Sequence, residues 1–227
     1  MEKKQKPVIV FDVNETLLDM APLKERINSI LDHPEGFRIW FGLLLQYSLV
    51  SVEIDQYQNF SELANATLQM AAESIGKVVD KETLKSALTL ISQLKAYPNV
   101  EPGLKKLKAA GFKLVTLTNS PQNVQVEQLA FAGIADYFEQ QFSIDAIKTY
   151  KPSLNTYKWV AAQLSVNIKE MIMVAAHGWD IAGAASAGLG TAFIARKEQT
   201  LYPLVQQPDI NETDLIKIAR AIQHKYA

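Results

Sequence analysis

The apolar residues of this chain fall into two rhythms. PVIVF (7–11) is a continuous β-branched run opened by Pro7, the signature of a strand buried on both faces. From about 20 to 95 the period is helical throughout, with helices predicted over 21–32, 36–49, 56–75 and 81–94. The second carries apolar side chains almost all round (Phe37, Ile39, Trp40, Phe41, Leu43, Leu44, Leu45), so it is expected to be buried on several sides. AYPNVEPG (96–103) is a breaker cluster and reads as a linker. Beyond it helix and strand alternate. Helices are predicted at 103–110, 121–132, 153–164, 179–187 and 211–225, the first, second and fourth ending at Gly111, Gly133 and Gly188. Strands are predicted in FKLVTLTN (112–119), FSID (142–145), MIMVAA (171–176) and TAFIA (191–195).

Alternation of this kind implies an α/β fold with a doubly wound, Rossmann-like parallel sheet. The first strand belongs to that sheet by character, and the helical block is an insertion directly after it. The expected division is a core of residues 1–18 and 97–227 and a helical cap of residues 19–96.

Composition narrows the function without naming it. The chain has 227 residues, 48% of them hydrophobic, and Lys+Arg 23 nearly balances Asp+Glu 24. A basic surface for nucleic acid or an anionic membrane is therefore not expected. The absence of cysteine excludes disulfides, zinc–thiolate sites and thiol nucleophiles. The apolar run after MEKKQK is too short for a signal peptide, and none approaches a membrane span, which makes the cytoplasm the expected location.

Ligands of open α/β sheets bind beyond the carboxyl ends of the strands. Asp12 ends the first strand, Thr118, Asn119 and Ser120 end the second, Lys151 follows the third, and His177, Trp179 and Asp180 follow the fourth. Each alone has a bland reading: a helix cap, a plain turn, a surface lysine before Pro152, a solvated loop histidine. Together they place two carboxylates, a lysine, hydroxyls and an amide at one sheet edge.

VFDVNETLLD, LTNS, YKPS and VAAHGWDIAGAASAGLGTAFI resemble, in that order, the motifs of the haloacid dehalogenase superfamily, and the insertion resembles its cap domain. The resemblance implies that Asp12 is the nucleophile. Phosphatases of the superfamily carry a second aspartate two residues on, as acid and base toward an alkoxide. Here Asn14 stands there, and it cannot exchange a proton in that way. The phosphatases' magnesium-binding aspartate is matched by Ala176, removing one oxygen ligand. Halide leaves without a proton. The sequence thus resembles the type II (L-2-haloacid) dehalogenases, which implies a small 2-halo acid as substrate, halide as a product, no cofactor or metal, and a homodimer.

By the same resemblance Lys151 holds Asp12, Asp180 serves as base or orienter for water, and Thr16, Thr118 and Asn119 position Asp12 or bind the substrate carboxylate, with Asn14 beside them. Tyr157 supports this shell, and Trp179 and Phe60 line the pocket, although Phe60 reads equally well as core packing. Two departures stand out. Those dehalogenases receive the halide on an arginine just after a tryptophan of the second cap helix; here Phe41 follows Trp40, and Arg38 lies three residues earlier. A serine and an asparagine before the Trp-Asp pair are replaced by Ala175 and His177, the latter an imidazole expected to titrate near neutrality. Two rivals remain: a phosphatase or phosphonatase of a small metabolite, and a binding protein that keeps the fold with weakened catalysis. A Ser120–His177–Asp180 hydrolase is disfavoured, because Ser120 precedes Pro121 and lacks a G-x-S-x-G elbow.

Overall fold

The first strand, β1 (Val8–Phe11), is fully buried and hydrogen-bonded on both sides, as its unbroken apolar run requires. The computed structural model describes residues 6–226. Four helices follow β1: α1 (Ala21–Ile30), α2 (Gly36–Glu53), α3 (Phe60–Ser74) and α4 (Lys81–Leu88). The chain then alternates through α5 (Val100–Ala109), β2 (Leu114–Thr118), α6 (Gln122–Phe131), β3 (Gln140–Ser143), α7 (Leu154–Leu164), β4 (Met171–Ala175), α8 (Gly178–Ala187), β5 (Gly190–Ile194), β6 (Ile210–Glu212) and α9 (Leu215–Lys225).

The six strands among the described residues are parallel, in the order β3-β2-β1-β4-β5-β6. The order reverses at β1, so its carboxyl end opens at the switch point where α/β sheets bind ligands. Register places Phe11 beside Thr116 on one side and Val174 on the other, which brings the exits of β1, β2 and β4 level.

The helical insertion packs its apolar side chains into the same buried cluster as the sheet. Trp40 is fully buried, and its indole Nε1 donates to the Ala64 carbonyl at 2.9 Å, tying α2 to α3. The ends of α3 and α4 are set by sequence: Asn59 and Glu62 form a capping box, and Asp80 accepts from the Thr83 amide. The two crossings between cap and core run side by side. Leu18 bridges Ala96, the Asp19 amide donates to the Lys95 carbonyl, and the Tyr97 amide donates to that of Leu17.

Several boundaries differ from the sequence expectation. The helix expected over 81–94 ends at Leu88 and continues as a 3-10 turn, Thr89–Gln93. The breaker cluster at 96–103 already contains the start of α5 at Val100, with Pro102 in its first turn, where a missing N–H costs nothing. The short third strand is Gln140–Ser143, and Ile144–Ile147 is a 3-10 turn. The helix expected over 211–225 begins with a strand: Ile210–Glu212 adds β6 to the sheet edge, and α9 starts after Asp214, whose carboxylate accepts from the Lys217 amide. Three residues with one buried side chain carry too little pattern to announce an edge strand. Among the described residues no helix is long and apolar enough to cross a membrane.

Candidate active site

Residues 13–18 fold back on themselves directly after β1. The Leu17 and Leu18 amides both donate to the Val13 carbonyl, and Glu15 adopts a left-handed backbone conformation with φ 57°. That conformation is uncommon for a residue with a Cβ. The turn brings three neighbouring side chains onto one point. Asp12 is at its base, the Thr16 hydroxyl donates to Asp12 Oδ2 at 2.7 Å, and Glu15 reaches round to His177. Thr16 is itself aimed by the Ala176 amide, which donates to its Oγ1 at 2.9 Å.

Lys151 bridges two carboxylates. Its Nζ donates to Asp12 Oδ1 at 2.8 Å and to Asp180 Oδ2 at 2.6 Å, with the lysine only 1% exposed. The other Asp180 oxygen accepts from the Tyr157 hydroxyl at 2.6 Å. Asp180 therefore joins Lys151 to Tyr157, one on each carboxylate oxygen. Asn119 Oδ1 accepts from the Lys151 amide at 2.9 Å, while its Nδ2 is buried without a protein partner. Thr118 is buried beside it, its Oγ1 accepting from the Ser120 amide.

Asn14 is engaged at both ends. Its Nδ2 donates to Ser120 Oγ at 3.3 Å and its Oδ1 accepts from Gln128 Nε2 at 2.9 Å; the same Gln128 nitrogen also donates to the Ile91 carbonyl. A side chain tied into such a network is a fixed amide, not a mobile proton carrier.

His177 departs most from expectation. It keeps the hydrogen-bonding role expected of a site residue, its bland reading as a solvated loop histidine fails because it is buried, and it does not titrate near neutrality. Its Nδ1 lies 3.1 Å from Asp12 Oδ2 and its Nε2 lies 2.8 Å from Glu15 Oε2, with the residue 3% exposed. Asp12 Oδ2 already accepts from Thr16, and Glu15 Oε2 already accepts from Gln199 Nε2 at 3.1 Å. Each ring nitrogen thus faces an oxygen that serves as an acceptor, so both nitrogens carry protons. Burial alone would push its pKa down. The hydrogen bonds to Asp12 and Glu15 outweigh that and raise it to about 9.

The carboxylates answer to the same forces. Burial would push the Asp12 carboxyl up, but Lys151 and the His177 hydrogen bond hold it well below the usual carboxylate range. Asp180 is pushed up by burial and by the neighbouring Asp12 charge, against the opposing pull of Lys151 and Tyr157. Burial would lower Lys151, and the two aspartates raise it instead.

A column of rings crosses from core to cap above this cluster. Trp179 stacks on His177 at 5.0 Å between centroids, His177 on Phe41 at 5.8 Å, and Phe41 on Phe37 at 5.8 Å. The Lys151 ammonium lies 5.6 Å from the Trp179 ring centroid. Phe60 is buried against Tyr150, the residue before Lys151, at 5.7 Å. Arg38 does not join the cluster: its side chain is 80% exposed and pairs with Glu35 at the rim of a cavity of about 220 Å³ between cap and core, whose lining also includes Glu15, Phe41 and Gln199.

Glu15 and Gln199 are the residues that sequence reading missed. Glu15 sits within the quoted first motif, but only the left-handed turn shows that it points back to the site. Gln199 lies in an irregular segment with no pattern to mark it.

These features define a class first: a capped, doubly wound α/β protein with an ionised aspartate at the exit of its first strand. The chain belongs to the haloacid dehalogenase-like hydrolase family, whose model matches residues 6–188. It is 31% identical over 189 residues to (S)-2-haloacid dehalogenase 1 of Pseudomonas sp. (strain CBS-3), covering 82% of this chain and 83% of that protein. It is 30% identical over 199 residues to a phosphoglycolate phosphatase of Psychrobacter arcticus (strain DSM 17307 / VKM B-2377 / 273-4), covering 82% of each. The structure of L-2-haloacid dehalogenase from Xanthobacter autotrophicus with chloropropionic acid covalently bound superposes with a TM-score of 0.86 at 21% identity, covering 96% of this chain and 99% of that one.

Proposed function

We propose that the protein hydrolyses the carbon–halogen bond of short 2-halo acids through an ester on Asp12. The observation that carries this reading is the pairing of an ionised Asp12 with a fixed amide at Asn14. A carboxylate held below its usual range is ready to attack carbon, and no acid stands two residues on to protonate a leaving group. Halide needs none, whereas the alkoxide leaving group of a phosphate ester does. The phosphatase relative favours the rival reading, and Asn14 and Ala176 oppose it.

Asp12 Oδ2 accepts from Thr16 and His177, whereas Oδ1 accepts from Lys151 alone. Oδ1 keeps a free lone pair and is the attacking oxygen. It bonds to C2 of the substrate as the C–X bond breaks and its electron pair leaves on the halide. The free Nδ2 of Asn119 is the natural donor to the substrate carboxylate, with Thr118 beside it. The cap, over residues 19–96, closes the site with Phe41, which stacks on His177.

Esterification removes the charge from Asp12. His177 then loses one of its two anionic partners and releases its Nδ1 proton, the single proton that the overall reaction sheds. The neutral Nδ1 takes a proton from water attacking Cγ of Asp12, while Glu15 holds Nε2 in place. As the Cγ–O bond to the product breaks, the departing alkoxide takes the second proton of the attacking water from the new carboxyl group, so the hydroxy acid leaves with the former Asp12 oxygen, the carboxylate is restored and His177 keeps its Nδ1 proton. His177 with Glu15, rather than Asp180, is the base in this scheme, because His177 Nδ1 contacts Asp12 directly, whereas Asp180 faces Lys151 and Tyr157. We further infer that two copies associate through the outer face of α2, where Leu49, Val50 and Ile54 are exposed.

The test is halide release from chloroacetate, bromoacetate and longer 2-halo acids, with and without EDTA. Release insensitive to EDTA and lost in Asp12→Ala is expected. No release across the panel, or hydrolysis of an aryl phosphate that depends on magnesium, would refute the reading.

A further inference from the structure

Nε2 of His177 does not have Glu15 to itself. Glu15 Oε2 accepts from His177 and also from Gln199 Nε2, at 2.8 and 3.1 Å. Gln199 belongs to the irregular segment between β5 and β6, and that segment is anchored on both sides of it. Before it, the Arg196 guanidinium stacks 3.9 Å over the Tyr97 ring and donates to the Thr16 carbonyl at 2.9 Å. The Gln199 amide closes a turn onto the Arg196 carbonyl. After it, the Thr200 carbonyl packs against Gly178, where an added Cβ would lie 2.2 Å from that oxygen. Only a glycine directly after His177 lets the segment approach the start of α8 so closely. The loop that carries Gln199 and the helix start that carries His177 are built to touch.

An amide at this place does not titrate, and its Nε2 can only donate. A carboxylate oxygen shared between two donors is held more firmly in place and pulls less strongly on each of them. We propose that Gln199 is a positioning residue for ester hydrolysis: it fixes the Glu15 carboxylate on Nε2 of His177 and sets how tightly the ring holds its second proton. The proposal rests on the His177–Glu15 base described above. The other groups around the ring leave this lever to Gln199. Asp12 faces Nδ1, the rings of Phe41 and Trp179 cover the two faces, and Lys151 lies behind Asp12. Lys24 pairs with Glu198, and the two share the cavity beside Glu15, where their charges offset.

Two substitutions at Gln199 act with opposite sign. Gln199→Met keeps the shape and removes the donor, leaving Glu15 wholly to His177 and raising the ring's proton affinity. Gln199→Lys places a cation on Glu15, which weakens its pull on the ring and repels the imidazolium. The readout is the titration of His177 by NMR on the whole protein labelled with ¹⁵N-histidine. The chain has three histidines, and the His177 signal is the one absent from His177→Asn. Shifts of about half a pH unit or more, upward in Gln199→Met and downward in Gln199→Lys, are expected. The acid limb of ester breakdown, where the neutral ring is needed, should move with the same signs. Absent shifts, or shifts of one sign in both variants with folding intact, would overturn the proposal. Failure of the dehalogenase reading would show separately, as no halide release by the unaltered protein.

Discussion

Nδ1 of His177 lies 3.1 Å from Oδ2 of Asp12, a hydrogen bond that is ionic while both groups are charged. In the proposed scheme the nucleophile and the base of the second half-reaction are the two ends of this contact: attack would remove the charge, and the loss of charge would free the ring to act.

Separating the two halves should separate the residues. In His177→Asn and Glu15→Gln, attack by Asp12 remains possible while water activation fails. Quenched-flow measurement should show an early burst of about one halide per site, then steady turnover slowed by about 10²- to 10⁴-fold. Intact-protein mass spectrometry should find the ester accumulated. Loss of the burst in both variants would place His177 and Glu15 in the first step instead.

Stability should fall as pH rises past neutrality. Folding raises the pKa of His177 from 6.5 to about 9, so its contribution is complete below the unfolded value and is lost as pH climbs through the folded one. The amount is on the order of 3 kcal/mol. Asp12 acts in the opposite sense: its contribution is present above the ordinary carboxylate range and is lost as pH falls below it. Urea unfolding at about pH 6 and about pH 10 should show the alkaline loss in the unaltered protein and a much flatter response in His177→Asn.

Removing Lys151 should cost both fold and function. Lys151→Met leaves Asp12 and Asp180 buried without the ammonium that joins them, which destabilises by about 3–5 kcal/mol. Halide release should vanish. Lys151→Arg should not restore it, since a planar guanidinium cannot occupy the space of a 1% exposed ammonium bonded to two carboxylates.

One methyl group should disturb the same bridge from behind. A Cβ at Gly183 would lie 2.5 Å from Pro152 Cβ and 2.7 Å from the Tyr157 hydroxyl. Gly183→Ala must shift the residue after Lys151 or the hydroxyl that orients Asp180. Denaturant titration should show a loss of about 1–3 kcal/mol, and activity should fall further than stability alone explains.

Much of this arrangement was legible in the residues, for identifiable reasons. β1 is an unbroken apolar run ending on a charge, and the later strands alternate with helices, so the sheet and the inserted cap could be read before any coordinates. Asp12, Lys151, Asp180 and Asn119 follow strands in the sequence pattern, Thr16 and Tyr157 are pointed to by the family resemblance, and the structure brings the six into one cluster. β6 was not legible, because three edge residues carry no period. Glu15 was hidden by a left-handed turn that sequence does not announce. His177 was expected to titrate near neutrality because a lone histidine says nothing of two carboxylates meeting it from residues 12 and 15. Arg38 shares a helix with Phe41 but points to solvent, where Glu35 takes it.

The most direct measurement is a single turnover with enzyme in excess over a 2-halo acid in water enriched in ¹⁸O. If Asp12 attacks carbon and water then attacks its carbonyl, the heavy oxygen enters the Asp12 side chain and is found there by peptide mass spectrometry, while the product hydroxyl stays light. Label in the product hydroxyl with none in Asp12 would mean that water displaces the halide directly, and the covalent scheme would be wrong.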